Sequence, residues 1–195
     1  MLVPQKELVL KLCARERILL TATKLFYSRG IRSTGIDLII AESGVAKMTF
    51  YRHFPSKQSL ILEYLRSSQC FWLDRFTEDL EKKSKDPKKR LLAAFDILED
   101  WCKNKNFDGC ALIKSAGENL ERGAEEIQLA IEEKTKIADL FARIAREAGL
   151  RKADQIGDQW LLLFDGAIVR CQLDRTAKWA RVAKGVAEQI LSRLD

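Results

Sequence analysis

The sequence is poor in the residues that build metal centres, disulfide frameworks and acid–base catalytic sites. Its 195 residues include one histidine, His53, and five cysteines that lie far apart, with no pair at CxxC spacing. A lone histidine cannot anchor a histidine-based metal site, and an odd number of scattered cysteines argues against a disulfide framework. We therefore predict reduced thiols in a cytoplasmic protein, with no metal, no cofactor and no catalytic constellation of nucleophile, base and orienting group.

Membrane-spanning and strand-forming patterns are scarce as well. No run approaches the ~20 consecutive apolar residues of a membrane span, and Lys6, Glu7 and Lys11 interrupt the apolar stretch at the N-terminus, which makes a poor signal peptide. There are only three prolines, hydrophobic residues make up 47% and charged residues 32%, and Ala, Leu, Glu, Lys and Arg are plentiful. This composition favours a helical protein with its own core, and we predict an all-α fold of about nine helices without a membrane partner.

Positive charge is concentrated in the first third of the chain. Residues 1–57 contain ten Lys/Arg and four Asp/Glu, which gives the +6 of the whole chain, and the remaining residues balance at 24 of each sign. A basic segment on a neutral body indicates a polyanionic partner. The alternative is a solvated basic tail.

Residues 34–53 have the pattern of a helix-turn-helix. A first helix from about Lys11 to Arg29 precedes them, then a short helix from about Ile36 to Glu42 with Thr34 as its N-cap, then a turn containing Gly44, and a second short helix at 47–53. The turn needs a residue that tolerates positive φ, which glycine does at least cost. Two later helices are predicted to begin after Ser56 and after Asp86.

The second short helix has the size and polarity of a helix that enters the major groove of DNA. Lys47 and Thr49 would meet base edges or phosphates, and Tyr51 would offer its hydroxyl to a phosphate while its ring packs. Lys57, with the amides that open the next helix, would bind a further phosphate. The predicted DNA-binding residues are Thr34, Lys47, Met48, Thr49, Tyr51, Arg52, His53 and Lys57.

The run from Thr34 to Lys57, TGIDLIIAESGVAKMTFYRHFPSK, resembles the DNA-binding domain of the TetR family of transcriptional repressors. The family pattern has a Gly-Val turn, then Ser-Lys-Gly-Thr-Leu-Tyr-x-His-Phe, then a Lys that opens the next helix, and the resemblance spans about residues 14–65. Met48 stands where glycine is commonest, Ala46 replaces the frequent Ser or Thr, and Phe50 replaces the frequent Leu. These departures bear on the operator sequence.

The resemblance implies an architecture and a function. It implies a three-helix DNA-binding domain at 1–57, with 46–53 as recognition helix, followed by a helical ligand-binding and dimerisation domain at 58–195. Members are usually homodimers that bind palindromic operators and are released by a small molecule. We therefore expect a ligand-responsive repressor. The alternatives are an enzyme in the helical domain, for which we find no constellation, and a protein-interaction adaptor that does not bind DNA.

The helix expected from about Ala153 to Leu173 is apolar on more than one face, and the last helix carries a regular apolar stripe. A helix with two apolar faces needs two partners. One is its own core, and the other is either a second subunit, as the resemblance implies, or more of the same chain in a monomer. The predicted dimer-interface residues are Trp160, Leu161, Ile168, Trp179, Val182, Val186 and Ile190.

Aromatic and apolar side chains of the larger domain are candidate walls of a ligand pocket, although each one could equally be ordinary core. Asp165 interrupts an apolar run, where a carboxylate needs a partner. It would bind a cationic or hydroxylated ligand, pair with Arg170 or Arg143, or face solvent. Cys110 is a weak candidate for a redox sensor because nothing nearby activates its thiol. The predicted ligand-binding residues are Trp72, Phe76, Trp101, Cys102, Cys110, Ile113, Phe164 and Asp165.

Overall fold

The computed structural model of the chain describes residues 12–118 and 124–194. Those two ranges form nine α-helices and no strand, which confirms the predicted all-α fold. The predicted start of the first helix, near Lys11, lies outside the described residues. The helices are α1 (Ala14–Arg29), α2 (Ile36–Ser43), α3 (Lys47–His53), α4 (Lys57–Lys83), α5 (Pro87–Cys102), α6 (Ala111–Glu118), α7 (Glu125–Glu147), α8 (Ala153–Asp174) and α9 (Lys178–Ser192).

Local sequence signals account for where several helices begin. The Asp86 side chain accepts hydrogen bonds from the backbone amides of Lys88 and Lys89, and Pro87 takes the first position of α5, where its missing N–H costs nothing. Ser56 likewise accepts from the amide of Ser59 at the start of α4, at 3.0 Å. Such caps satisfy amides that have no partner within the helix.

The predicted cap of α2 was wrong. Gly35 occupies the N-cap position and makes no side-chain hydrogen bond. Thr34 is fully buried, and its hydroxyl donates to the carbonyl oxygen of Gly30 at 2.8 Å. The side chain therefore closes the turn behind α1 instead of capping the helix ahead of it.

The first of two compact units takes in the described residues of Met1–Gln69 and Ala111–Ala130. This division differs from the boundary expected at 57/58, since α6 falls in the same unit as the helix-turn-helix. The core of this unit is largely apolar, and the ring of Phe26 lies 5.4 Å from the ring of Tyr64. Its most deeply buried side chains include Ile18, Ala22, Phe26, Ile39, Phe50 and Leu60.

The second unit comprises Cys70–Cys110 and the described residues of Ile131–Asp195. Helix α9 packs against α5 and α8, and Trp160 of α8 is fully buried with its indole N–H donating to the carbonyl oxygen of Leu91 at 3.0 Å. Within the part of the chain that the structure describes, no helix is both long and apolar enough to cross a membrane.

Candidate nucleic-acid interface

The helix-turn-helix is formed by α2, a tight turn and α3. Gly44 has φ 63° and ψ 34°, the left-handed conformation that the sequence predicted at this turn. Phe50 holds α3 in place: its side chain is completely buried and lies 6.3 Å from the ring of Phe54. Phe54 belongs to the same core, since only 3% of it is exposed.

The face of α3 opposite Phe50 is open to solvent. Lys47 and Arg52 are exposed, and Met48 is 82% exposed. Tyr51 is 39% exposed while its ring meets the edge of Phe50 at 5.4 Å, so the ring packs and part of the side chain faces outward. Thr49 and His53 are half-buried at the flanks of the helix. Six of the eight predicted DNA-binding residues thus lie on one short helix.

The other two predicted DNA-binding residues are engaged inside the protein. Thr34 is buried, as described above. The ammonium group of Lys57 donates to the carbonyl oxygen of Ile31 at 2.6 Å. Burial lowers the pKa of Lys57, and the charge of Glu118 opposes that shift. One N–H group of Lys57 therefore stabilises the loop between α1 and α2.

Sequence reasoning missed Glu118, the last residue of α6. Its carboxylate accepts hydrogen bonds from the backbone amides of Ile31 at 3.1 Å and Arg32 at 2.7 Å. Lys114, one turn earlier, donates to the carbonyl oxygen of Tyr27 at 2.8 Å. Helix α6 therefore binds the end of α1 and the loop that leads into the helix-turn-helix. No local pattern signals this, because the partners lie more than eighty residues apart.

Gly30 is the C-cap of α1, next to the amides that bind the Glu118 carboxylate. Its φ of 86° and ψ of 158° are available almost only to glycine. A Cβ added there would lie 3.0 Å from the carboxylate oxygen Oε1 of Glu118. The glycine thus provides both the backbone conformation and the space for the carboxylate.

Four of the predicted ligand-binding residues come together in the second unit. Trp72 stacks on Phe76 with ring centroids 4.7 Å apart, and it meets Phe164 and Trp101 at 6.1 Å each. Trp101 also borders an open surface depression of about 470 Å³ between α4 and α5. The rings of the cluster contact one another directly, as they would in a core.

The remaining predicted ligand-binding residues are more dispersed. Cys102 contacts Cys171, and burial together with this contact raises the pKa of the Cys102 thiol. Cys110 is buried, and Ile113 belongs to the first unit. Within the two described ranges, no group of three His, Cys, Asp or Glu side chains is placed to hold a metal ion.

Asp165 has a partner that the sequence did not suggest. It pairs with the ammonium of Lys134 on α7, with 2.5 Å between Oδ1 and Nζ. Of the two arginines proposed for it, Arg170 pairs with Asp174 at 3.0 Å, one turn along the same helix. The partner comes from α7 because two packed helices bring the side chains together, which spacing along one helix cannot reveal.

The predicted dimer-interface residues divide into two groups. Trp160 and Ile168 are buried inside the protomer, where a partner subunit cannot reach them, so those two predictions were wrong. Val182 and Val186 are exposed, while Leu161, Trp179 and Ile190 are half-buried. Leu162, which the sequence analysis left out, is 74% exposed.

Comparison with known proteins yields one family match and several likenesses along most of the chain. The family model of bacterial regulatory proteins of the tetR family matches residues 18–64. The chain is 23% identical over 180 residues to the HTH-type transcriptional regulator YjdC of Escherichia coli, covering 91% of this chain and 93% of YjdC. It is 28% identical over 105 residues to the transcriptional repressor NemR of Escherichia coli, covering 53% of each.

A solved structure is similar over nearly the full length. The TetR-family transcriptional regulator SCO4454 from Streptomyces coelicolor aligns with a TM-score of 0.83 at 27% identity, covering 93% of this chain and 95% of that one. The segment matched by the family model contains all of α2 and α3.

Proposed function

We propose that this chain, which belongs to the TetR family of bacterial transcriptional regulators and is a helix-turn-helix regulator rather than an enzyme, represses transcription as a homodimer. The homodimer binds a palindromic operator, and a small molecule releases it from the DNA. The observation that carries the proposal is the outward face of α3. It presents basic and polar side chains to solvent while Phe50 fixes the opposite face in the core.

The proposed DNA contacts all come from α3. The solvent-exposed Lys47 would reach a phosphate or a guanine edge, and Tyr51 would donate a hydrogen bond from its hydroxyl to a phosphate. The complete set is Lys47, Met48, Thr49, Tyr51, Arg52 and His53. Thr34 and Lys57 are left out of it, since their polar groups already bond within the protein.

Exposed apolar residues on α8 and α9 support the homodimer. Leu162 and Leu173 are 74% and 69% exposed, and helical spacing places Gly166 and Val169 between them on the same face. On α9, Val182, Gly185, Val186 and Ile190 form a second such row. A regular apolar face on two adjacent helices is costly to leave in water and fits a self-complementary interface.

The two glycines in these rows strengthen the argument. A Cβ added at Gly166 or at Gly185 would meet no atom within 4 Å, so packing within the protomer does not require either glycine. Glycine inside a helix is destabilising by roughly 0.5–1 kcal/mol relative to alanine. Closely approaching helices of a second copy are a reason to retain them. We propose the interface residues Leu161, Leu162, Val169, Leu173, Trp179, Val182, Val186 and Ile190.

We place the effector beside the aromatic cluster of the second unit. Trp72, Phe76, Trp101 and Phe164 offer apolar surface, and the Lys134–Asp165 ion pair offers one group of each charge. Because the rings contact one another, an effector would have to separate them. Such a rearrangement is a means by which binding can favour a second conformation.

Selection of bound duplexes from a random DNA pool tests the function. We expect enrichment of a palindrome whose half-sites are about 34 Å apart, one helical turn. Affinity for that duplex should fall steeply with salt. Failure to enrich any duplex would refute DNA binding and favour the adaptor.

Two variants assign the binding to α3. Lys47→Ala and Tyr51→Ala should each weaken binding in a gel-shift titration. Lys105→Ala, which removes an exposed cation from the loop after α5, is the matched control and should bind like the parent protein. Equal affinity for all three variants would eliminate α3 as the recognition helix.

The oligomeric state tests the interface. Leu162→Glu should turn the dimer into a monomer in sedimentation equilibrium, because it places a charge in the apolar face of each copy. Ile131→Glu alters another exposed apolar residue, 55% exposed on α7, and should remain dimeric. A dimer that persists in Leu162→Glu with undiminished affinity would exclude this face.

A further inference from the structure

Met48 is the most exposed large apolar side chain among residues 12–118 and 124–194, at 82%. It is the second residue of α3, and its neighbours Lys47 and Thr49 are polar. Exposed apolar side chains are common on protein surfaces when they occur singly. This one stands out by its position, because the helix around it is the proposed recognition helix.

The geometry of α3 makes Met48 part of the outermost ridge of the helix. With about 100° between successive residues, Met48 and Arg52 each lie about 160° around the axis from the buried Phe50, one in each direction of rotation. These two side chains are one turn apart and project away from the core. When α3 enters a major groove with Phe50 on the protein side, Met48 and Arg52 reach deepest toward the base pairs.

Methionine can make only a limited set of contacts at a base edge. Its thioether has no hydrogen to donate and is a weak acceptor, so covering a polar base edge would remove water without replacing its hydrogen bonds. Among the groups that unmodified base pairs display in the major groove, the C5-methyl of thymine is the apolar one. The flexible side chain of methionine adapts readily to such a surface.

We propose that Met48 reads the C5-methyl group of a thymine in each operator half-site. This inference rests on the proposed function, since it assumes that α3 docks in the major groove. Met48 thereby sets a preference for thymine at one position of the half-site, and the surrounding cationic and polar residues position the helix on the DNA backbone.

Deoxyuridine substitution tests the contact on the DNA side. Uracil keeps every hydrogen-bonding group of thymine and lacks only the C5-methyl. In the selected duplex, each thymine is replaced in turn by deoxyuridine, and the Kd of the full-length protein is measured. We expect one position per half-site to weaken binding about fourfold, as for one buried methyl-sized group, and both half-sites together to weaken it about fifteenfold.

Two variants of similar length test the contact on the protein side. Met48→Leu keeps an apolar side chain and should retain sensitivity to deoxyuridine at that position. Met48→Gln is polar and should bind the thymine and deoxyuridine duplexes equally. Because the position is 82% exposed, neither change disturbs the core. Lys47→Ala is the control: it should weaken binding to both duplexes and leave their ratio unchanged.

The outcomes separate this inference from the function beneath it. If the protein binds its selected duplex and no thymine position responds to deoxyuridine, the methyl contact is absent while DNA binding stands. If Met48→Gln retains the full sensitivity, another group reads the methyl and the assignment is overturned. If no duplex is enriched at all, the proposed function fails and the inference fails with it.

Discussion

Replacing Glu118 with alanine should loosen the loop between α1 and α2, because this carboxylate accepts hydrogen bonds from two consecutive amides there. Net contributions of hydrogen bonds to charged groups are about 1.5–3 kcal/mol when they are protected from water. The bond from Ile31 is partly buried and the bond from Arg32 is exposed. We therefore count only the partly buried bond from Ile31, in the lower part of that range, and expect Glu118→Ala to cost about 2 kcal/mol.

Amide hydrogen exchange measures this loss at the two amides concerned. A local destabilisation of about 2 kcal/mol corresponds to roughly thirtyfold faster exchange at Ile31 and Arg32. Glu118→Gln keeps a neutral acceptor and should lie between the parent protein and Glu118→Ala. Glu42→Ala removes an exposed carboxylate from α2 and serves as the control, with no expected change at either amide.

The result that would refute this reasoning is unchanged exchange at both amides in Glu118→Ala. The contact would then contribute nothing, as for many solvent-exposed charged pairs. Accelerated exchange throughout the first unit would point instead to global destabilisation. The prediction requires an effect confined to the loop and the residues next to it.

Further predictions concern Lys57, Cys102 and Trp160. Burial lowers the pKa of Lys57 below its usual 10.5 and the charge of Glu118 opposes this, so Glu118→Gln should lower that pKa further in an NMR titration; a rise would contradict it. Because the folded pKa lies below the unfolded one, the free energy of unfolding should increase as the pH rises between the two values. The raised pKa of Cys102 predicts slower alkylation by iodoacetamide at pH 8 than at the exposed Cys70, and equal rates measured by mass spectrometry would exclude it. Trp160→Phe removes the partner of a buried carbonyl and should lower the free energy of unfolding in urea by about 1–3 kcal/mol; a loss below about 0.5 kcal/mol would contradict this.

The helices and their order could be predicted because their signals are local. Periodic apolar residues, a glycine at the turn after α2 and the Asp86-Pro87 pair each act within a few residues. Thr34 shows the limit of such reasoning. Threonine is a common N-cap residue, so its position just before α2 predicted a cap. The turn of the chain at Gly30 instead places the carbonyl oxygen of Gly30 where the Thr34 hydroxyl donates to it.

The sequence predicted that α8 forms, but it did not predict which face of α8 is buried within the chain. The sequence indicated two apolar faces but could not say which one the rest of the chain covers. Helices α5 and α9 pack against α8, where Trp160 and Ile168 are buried and Leu162 is exposed. The choice between neighbouring residues such as Leu161 and Leu162 depends on packing from distant segments. The partner of Asp165 was missed for the same reason.

The conformation of Gly30 has a consequence for how this protein can vary. Any other residue at this position would adopt an unfavourable backbone conformation, and its Cβ would displace the carboxylate of Glu118. A single substitution there therefore disturbs two parts of the chain at once. We expect random mutagenesis with selection for DNA binding to return glycine at position 30 almost without exception, and revertants of a Gly30→Ala mutant to arise from changes in α6 as well as in α1.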